Sequence, residues 1–160
     1  MSEAERTEDG RYLVIGGRRW RASDPAIPDS LRQELVDELM AARRLVKTDP
    51  EHARPRVHDA KVALGERGRA WWEPRDEGAS RDRLAAAIRA LLRHRDGSTI
   101  CPSDAARVAG GEEWRDLMPV SRDVAFDLAD EGVVVVTSKG QVVPAREAAR
   151  GPLRIGPAPG

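Results

Sequence analysis

A chain of 160 residues with 40% hydrophobic content can bury one compact core or two small ones. Its 27 basic residues are matched by 27 acidic ones, and neither half, divided at Ala79, departs far from neutrality, so the global attraction to phosphate that marks many nucleic-acid binders is missing. A lone cysteine, Cys101, excludes an intramolecular disulfide and argues against a cysteine-based zinc site. The polar, acidic opening MSEAERTEDG does not read as a signal peptide, and no apolar run approaches the ~20 residues of a membrane span. A cytoplasmic protein without membrane contact is expected.

Residues 1–10 are expected to be disordered. Tyr12 to Ile15 and Arg18 to Arg21 flank Gly16-Gly17, a pair that accepts the positive φ angles of a tight hairpin. Arg18, Arg19 and Arg21 surround Trp20. Strand alternation puts Arg19 and Arg21 on one face and Arg18 with Trp20 on the other, and an inward-packed Trp20 with acid-paired arginines is preferred to base stacking. Asp24 to Pro28 reads as an extended turn. From Asp29, a capping residue, Leu31, Leu35, Val36, Leu39, Met40 and Val46 mark an amphipathic helix to about Lys47. Its apolar face serves either a dimer interface or burial against the rest of the chain. After a break at Thr48-Asp49-Pro50, a second helix runs from about Pro55 to Arg67 with Val57, Ala60 and Leu64 inward, closed by Gly68. Trp71 and Trp72 come next, then a polar linker over 73–79. The module 11–72 is too small to stand comfortably alone and is expected to dock on the second half of the chain, the two tryptophans near the seam.

Ser80 can cap a helix to about His94 with Leu84, Ala87, Ile88, Leu91 and Leu92 as its inner face. Thr99 to Cys101 links it to a short helix opened by Pro102 and Asp104 and stopped by Gly110-Gly111. From Pro119, Val120, Val124, Ala125, Leu128 and Ala129 recur at helical spacing until Gly132. Val133 to Val136 and Gln141 to Val143 then bracket Thr137-Ser138-Lys139-Gly140 as a hairpin, Leu153 and Ile155 return to the sheet or core, and 157–160 is loose. Helix, turn, helix, strand is the order of a winged helix-turn-helix. The expected fold is therefore α+β, mainly α: a small β-hairpin and two-helix module, then a winged helix-turn-helix of three helices and a β-hairpin wing over 80–156.

The segments TICPSDAARV, WRDLMP, RDVAFDLADEGVVVVTSKGQ and GPLRI resemble a family of uncharacterised bacterial winged-helix domains across roughly the second half. GGRRWR, DPAIP, ELVDELMAARR, AKVALGERG and the tryptophan pair resemble a segment of similarly uncharacterised bacterial proteins. The first resemblance implies the winged-helix fold; neither implies a catalytic residue.

Candidate nucleic-acid contacts are Arg107 and Arg115 beside the turn, Arg122 on the third helix, Lys139 at the wing tip, and Arg146, Arg150 and Arg154 after it. Against them, the third helix places Asp123, Phe126, Asp127 and Asp130 beside Arg122, opposite its apolar face. Carboxylates there repel phosphate, so a solvated face is preferred to base readout. Exposed on such a face, Phe126 with Asp127 could anchor a protein partner. An enzyme would need His58, Asp59, Glu66 and Arg67 to converge in one pocket. His52, His58 and His94 are scattered without metal-ligand spacing, Cys101 reads as a small buried residue, and neither Gly16-Gly17 nor GERG at 65–68 is a phosphate loop. No cofactor or metal is expected. The leading expectation is a non-enzymatic nucleic-acid-binding or regulatory accessory module, DNA or RNA open. A protein-interaction adaptor is the alternative, and an enzyme is the less favoured third.

Overall fold

The computed structural model describes residues 5–159. It is α+β and mainly helical, with two small antiparallel sheets. The first sheet holds β1 (Glu5–Arg6), β2 (Tyr12–Ile15) and β3 (Arg18–Arg21) in that order. β1 pairs Glu5 with Val14 and Arg6 with Leu13, which corrects the expected disorder for the described part of 1–10. Asp9 accepts from Thr7 and from the Arg11 N–H, closing a turn that brings β1 back beside β2.

α1 (Asp29–Leu45) buries Leu31, Leu35, Leu39 and Ala42 in the common core, so its apolar face is spent within the chain. Met40, expected inside, is instead exposed, and no side chain caps the start. α2 (Pro50–Leu64) begins five residues before the expected Pro55. Pro50 sits at a first-turn position, where its missing N–H costs nothing, and Asp49 caps by accepting from the His52 N–H. That start outweighs the single backbone bond lost at Pro55. The helix closes at Gly65, not Gly68, with φ 82. A Cβ there would lie 3.2 Å from Asp24 Cβ and from the Trp71 ring, so glycine serves both the left-handed turn and the close approach.

α3 (Glu77–Arg95) starts inside the expected linker because Asp76, not Ser80, accepts from the Ala79 N–H at 2.7 Å. It is buried on several sides, through Leu84, Ala86, Ala87, Ile88, Ala90, Leu91 and Leu92, and packs against α1 and α2 and also against the two later helices. One continuous core therefore joins the two halves. Arginine–carboxylate pairs tie the same helices together: Arg56 holds Glu38 with two bonds of 2.9 and 2.7 Å, Arg95 holds Glu34 with 2.8 and 3.0 Å, and Arg93 reaches Asp59 at 2.6 Å. These three arginines are consumed by helix-to-helix contacts.

α4 (Pro102–Gly110) opens with a reciprocal cap in which Asp104 accepts from the Cys101 N–H at 2.9 Å. At Gly111 the chain leaves α4 and tightens into a 3-10 helix to Leu117, which leads into α5 (Met118–Asp130). Ser121 on α5 donates to the Pro102 carbonyl at 2.8 Å and fixes the two helices against each other. The second sheet has the order β5 (Gln141–Val142), β4 (Val134–Ser138), β6 (Arg154–Pro157). Strand β4 extends two residues beyond the expected end, so the connection is only Lys139-Gly140, with φ 51 and 80. Positive φ at both residues lets the turn follow the right-handed twist of the ribbon. β6 reaches Pro157, opposite Val134, within the stretch expected to be loose. No helix among the described residues is long and apolar enough to cross a membrane.

Candidate nucleic-acid interface

The α5 face that a DNA-reading helix would present is acidic, and the fold neutralises it from within. Asp123, Asp127 and Asp130 lie one helical turn apart. Arg146, beyond β5, pairs with Asp123, with Asp127 at 2.9 Å and with Asp130 at 3.4 Å. From α3, Arg81 adds contacts of 2.7 Å to Asp123 and 3.3 Å to Asp127. The hydrogen bond from Arg81, reinforced by Arg146, holds the Asp123 carboxyl below the usual carboxylate range. Reciprocally, the hydrogen bonds that Arg146 donates to Asp127 and Arg81 donates to Asp123 hold both guanidiniums more firmly charged. Arg146 is thus an internal counterion, not a free phosphate ligand. Asp127 is engaged in the same network. Phe126, expected on the exposed face, is 4% exposed within the core, because burial at α5 extends past the predicted stripe toward Arg146, whose guanidinium lies 5.9 Å from the ring centroid. The adaptor's aromatic anchor is therefore inaccessible.

A second set of cations gathers at the ribbon. Arg122 donates from α5 to the Gly151 carbonyl at 3.3 Å, and Arg150 donates to the carbonyls of Glu147 and Ala149. Ser138, next to Lys139, donates to the carbonyls of Arg150 and Pro152, which holds the exposed ribbon tip beside that loop. Arg154, opposite Thr137 in the sheet, donates to the Thr99 hydroxyl and carbonyl and to Cys101 Sγ. Backbone carbonyls orient these guanidiniums without cancelling their charge. Among the described residues none of Arg122, Lys139, Arg150 and Arg154 is paired with a carboxylate. Arg107 and Arg115 form a separate group, their guanidiniums 4.6 and 4.5 Å from the centroid of the Trp114 ring.

His58, Asp59 and Arg67 do share a cleft of about 1120 Å³ floored by α3 and walled by α2 and α5. Glu66 is not part of its lining and instead accepts from the Ser23 hydroxyl at 2.8 Å. Asp59 is taken by Arg93, and Arg67 lies 3.1 Å from His58 Nδ1. Other charges along the cleft are also matched locally, Arg83 with Asp24 at 3.0 Å and Arg75 with Glu113 at 2.8 Å. The four residues do not converge on a common point. Trp71 and Trp72 line the cleft, and Trp71 anchors the first sheet by donating to the Ala22 carbonyl at 2.9 Å. Trp20, expected to pack inward, is 41% exposed. Cys101 is half-buried. Among the described residues no three of His, Cys, Asp or Glu come together as metal ligands.

Arg81 is the residue that sequence reasoning overlooked. Besides Glu77 one turn before it, its partners on α5 lie 42 and 46 positions away, and no local pattern announces that distant pairing.

Residues 81–158 match the family model described as Protein of unknown function (DUF3253). The match covers α3 from Arg81 through α4, α5 and the second sheet, the region that holds both cation groups and the acidic network. No curated protein matches the chain.

Proposed function

We propose that this protein is a non-enzymatic nucleic-acid-binding accessory module, its second half a winged helix-turn-helix. Duplex nucleic acid lies against the ribbon side, with Arg122, Lys139, Arg150 and Arg154 as phosphate contacts. The observation that carries the reading is the gathering of these four cations at one end of the fold without described carboxylate partners. Phosphate binding gains from cations that release counterions, whereas an arginine already paired with aspartate offers little. This assigns the task to the ribbon rather than to the acidic side of α5. Arg81 and Arg146 soften the repulsion from that side.

Titration of the full chain into labelled duplex DNA and structured RNA at about 50 and about 200 mM salt tests the proposal, because each phosphate contact contributes a slope of about −0.9 in log affinity against log salt. Lys139→Glu and Arg150→Glu are expected to weaken binding and flatten that slope. An absence of salt-sensitive binding to either nucleic acid removes the reading.

A further inference from the structure

The face of the first sheet that carries Trp20 has chemistry the ribbon does not. Register places Arg6 opposite Leu13, Leu13 opposite Trp20 and Ile15 opposite Arg18. Cross-strand partners share a face, so these five side chains project to one side. There Ile15 is 54% and Trp20 41% exposed. The Arg18 guanidinium lies 4.2 Å from the indole centroid, and Lys61 Nζ reaches in from α2 at 5.8 Å. Among the described residues neither cation is bonded to a carboxylate. Surrounding charge is also positive: burial first, then Arg67 and Arg43, push the Lys61 ammonium down, and only Glu66 opposes them. Glu66 is itself occupied by Ser23.

An exposed apolar strip alone would suit many partners, but the cations select an anionic one. A flat indole with a guanidinium resting on it further selects a partner that is itself flat. Stacking of a base on an aromatic ring outweighs an exposed cation–π contact, so a base can displace Arg18 and free it for the adjoining phosphate. We propose that this face binds an unpaired stretch of single-stranded RNA or DNA, with one base stacked on Trp20, Arg18 and Lys61 on the flanking phosphates, and Arg43 and Arg67 adding to the positive field. This site is distinct from the ribbon, and it stands on different residues.

The test uses the full chain and a fluorescein-labelled mixed-sequence oligonucleotide of about 12 nucleotides, as single-stranded DNA, as single-stranded RNA and as duplex. Anionic phosphatidylserine vesicles form a fourth arm. Trp20→Ala is expected to weaken single-strand binding about tenfold, the loss of one stacked base, and Arg18→Ala to weaken it and reduce its salt dependence through the loss of one phosphate contact, while duplex binding is unchanged. Trp20→Phe keeps a ring and is expected to retain most of the affinity, which separates stacking from any effect of Trp20→Ala on folding. Wild-type protein that fails to bind either single strand overturns the proposal. So does strand binding unaffected by both alanine variants, or vesicle binding lost on Trp20→Ala in a protein that does not take up the strand. Loss of duplex binding alone sinks the ribbon reading and leaves this one intact.

Discussion

Arg146 lies with its Nη2 2.9 Å from the Asp127 carboxylate, joining the chain beyond the ribbon to the middle of α5. Asp123 is shared between this arginine and Arg81 of α3, so one acidic helix face is clasped from two sides. Such a clasp sets the direction of α5 against the ribbon and decides which cations are left for an anionic partner.

The clasp predicts an acid sensitivity of defined sign. Arg81 first and Arg146 second hold the Asp123 carboxyl below its ordinary 3.8. A carboxyl depressed in the folded state stabilises fully above its unfolded value, and that contribution drains away as pH falls through the folded one. The thermal midpoint is therefore expected to drop below about pH 4. In Arg146→Ala the Asp123 carboxyl should titrate closer to 3.8, as read by NMR of the side-chain carbonyl carbon. An unmoved titration would show that the pair is not formed in solution.

Phe126→Ala is expected to destabilise the fold by about 3–5 kcal/mol, the cost of removing a large core aromatic. Urea denaturation measures this directly. An effect below about 1 kcal/mol would place the ring at the surface, where single substitutions usually matter little.

Glu38 is 1% exposed and held bidentately by Arg56. Arg56→Ala strands a buried carboxylate and is expected to cost roughly 3 kcal/mol. Glu38→Leu combined with Arg56→Met removes both charges and should recover most of that stability. A double variant as unstable as Arg56→Ala alone would mean that packing, rather than the unpaired charge, dominates.

Gly65 and Gly132 share left-handed φ angles of 82 and 79, but only Gly65 has close neighbours. Alanine at either carries a backbone penalty of about 1–2 kcal/mol. Gly65→Ala must also displace Asp24 or Trp71 and should unfold at clearly lower urea than Gly132→Ala. Equal midpoints would remove the steric part of the account.

Lys139 has φ 51 in the ribbon turn, where asparagine is better tolerated. Lys139→Asn is expected to raise the thermal midpoint slightly while lowering duplex affinity and reducing the salt slope by roughly one unit. These opposite signs separate the contribution of the turn to stability from that of the charge to binding.

Local chemistry made much of the fold legible. Pro102 and Asp104 opened α4, Gly110-Gly111 stopped it, and the run ending at Gly132 marked α5, because capping and periodicity act within a few residues. Boundaries moved where two local signals competed: Asp49 and Pro50 prevailed over Pro55, and Asp76 over Ser80. The candidate site was far less legible. Helical periodicity put Phe126 beside the aspartates, yet the neighbours that bury it come from elsewhere in the chain.

The sequence by itself determined the main helices, the two hairpins and a balanced, arginine-rich composition, since each depends on the identity of a residue and its near neighbours, whereas β1 and the shortening of the ribbon connection to Lys139-Gly140 came from strand pairing. Tertiary structure alone decided which arginines are counterions and which keep their charge available. Arg81 and Arg146 meet Asp123 across separations of 42 and 23 positions, whereas Arg18 and Lys61 meet at Trp20 with no described carboxylate partner. Charge neutralisation depends on distance in space, and distance in space is set by packing rather than by order along the chain.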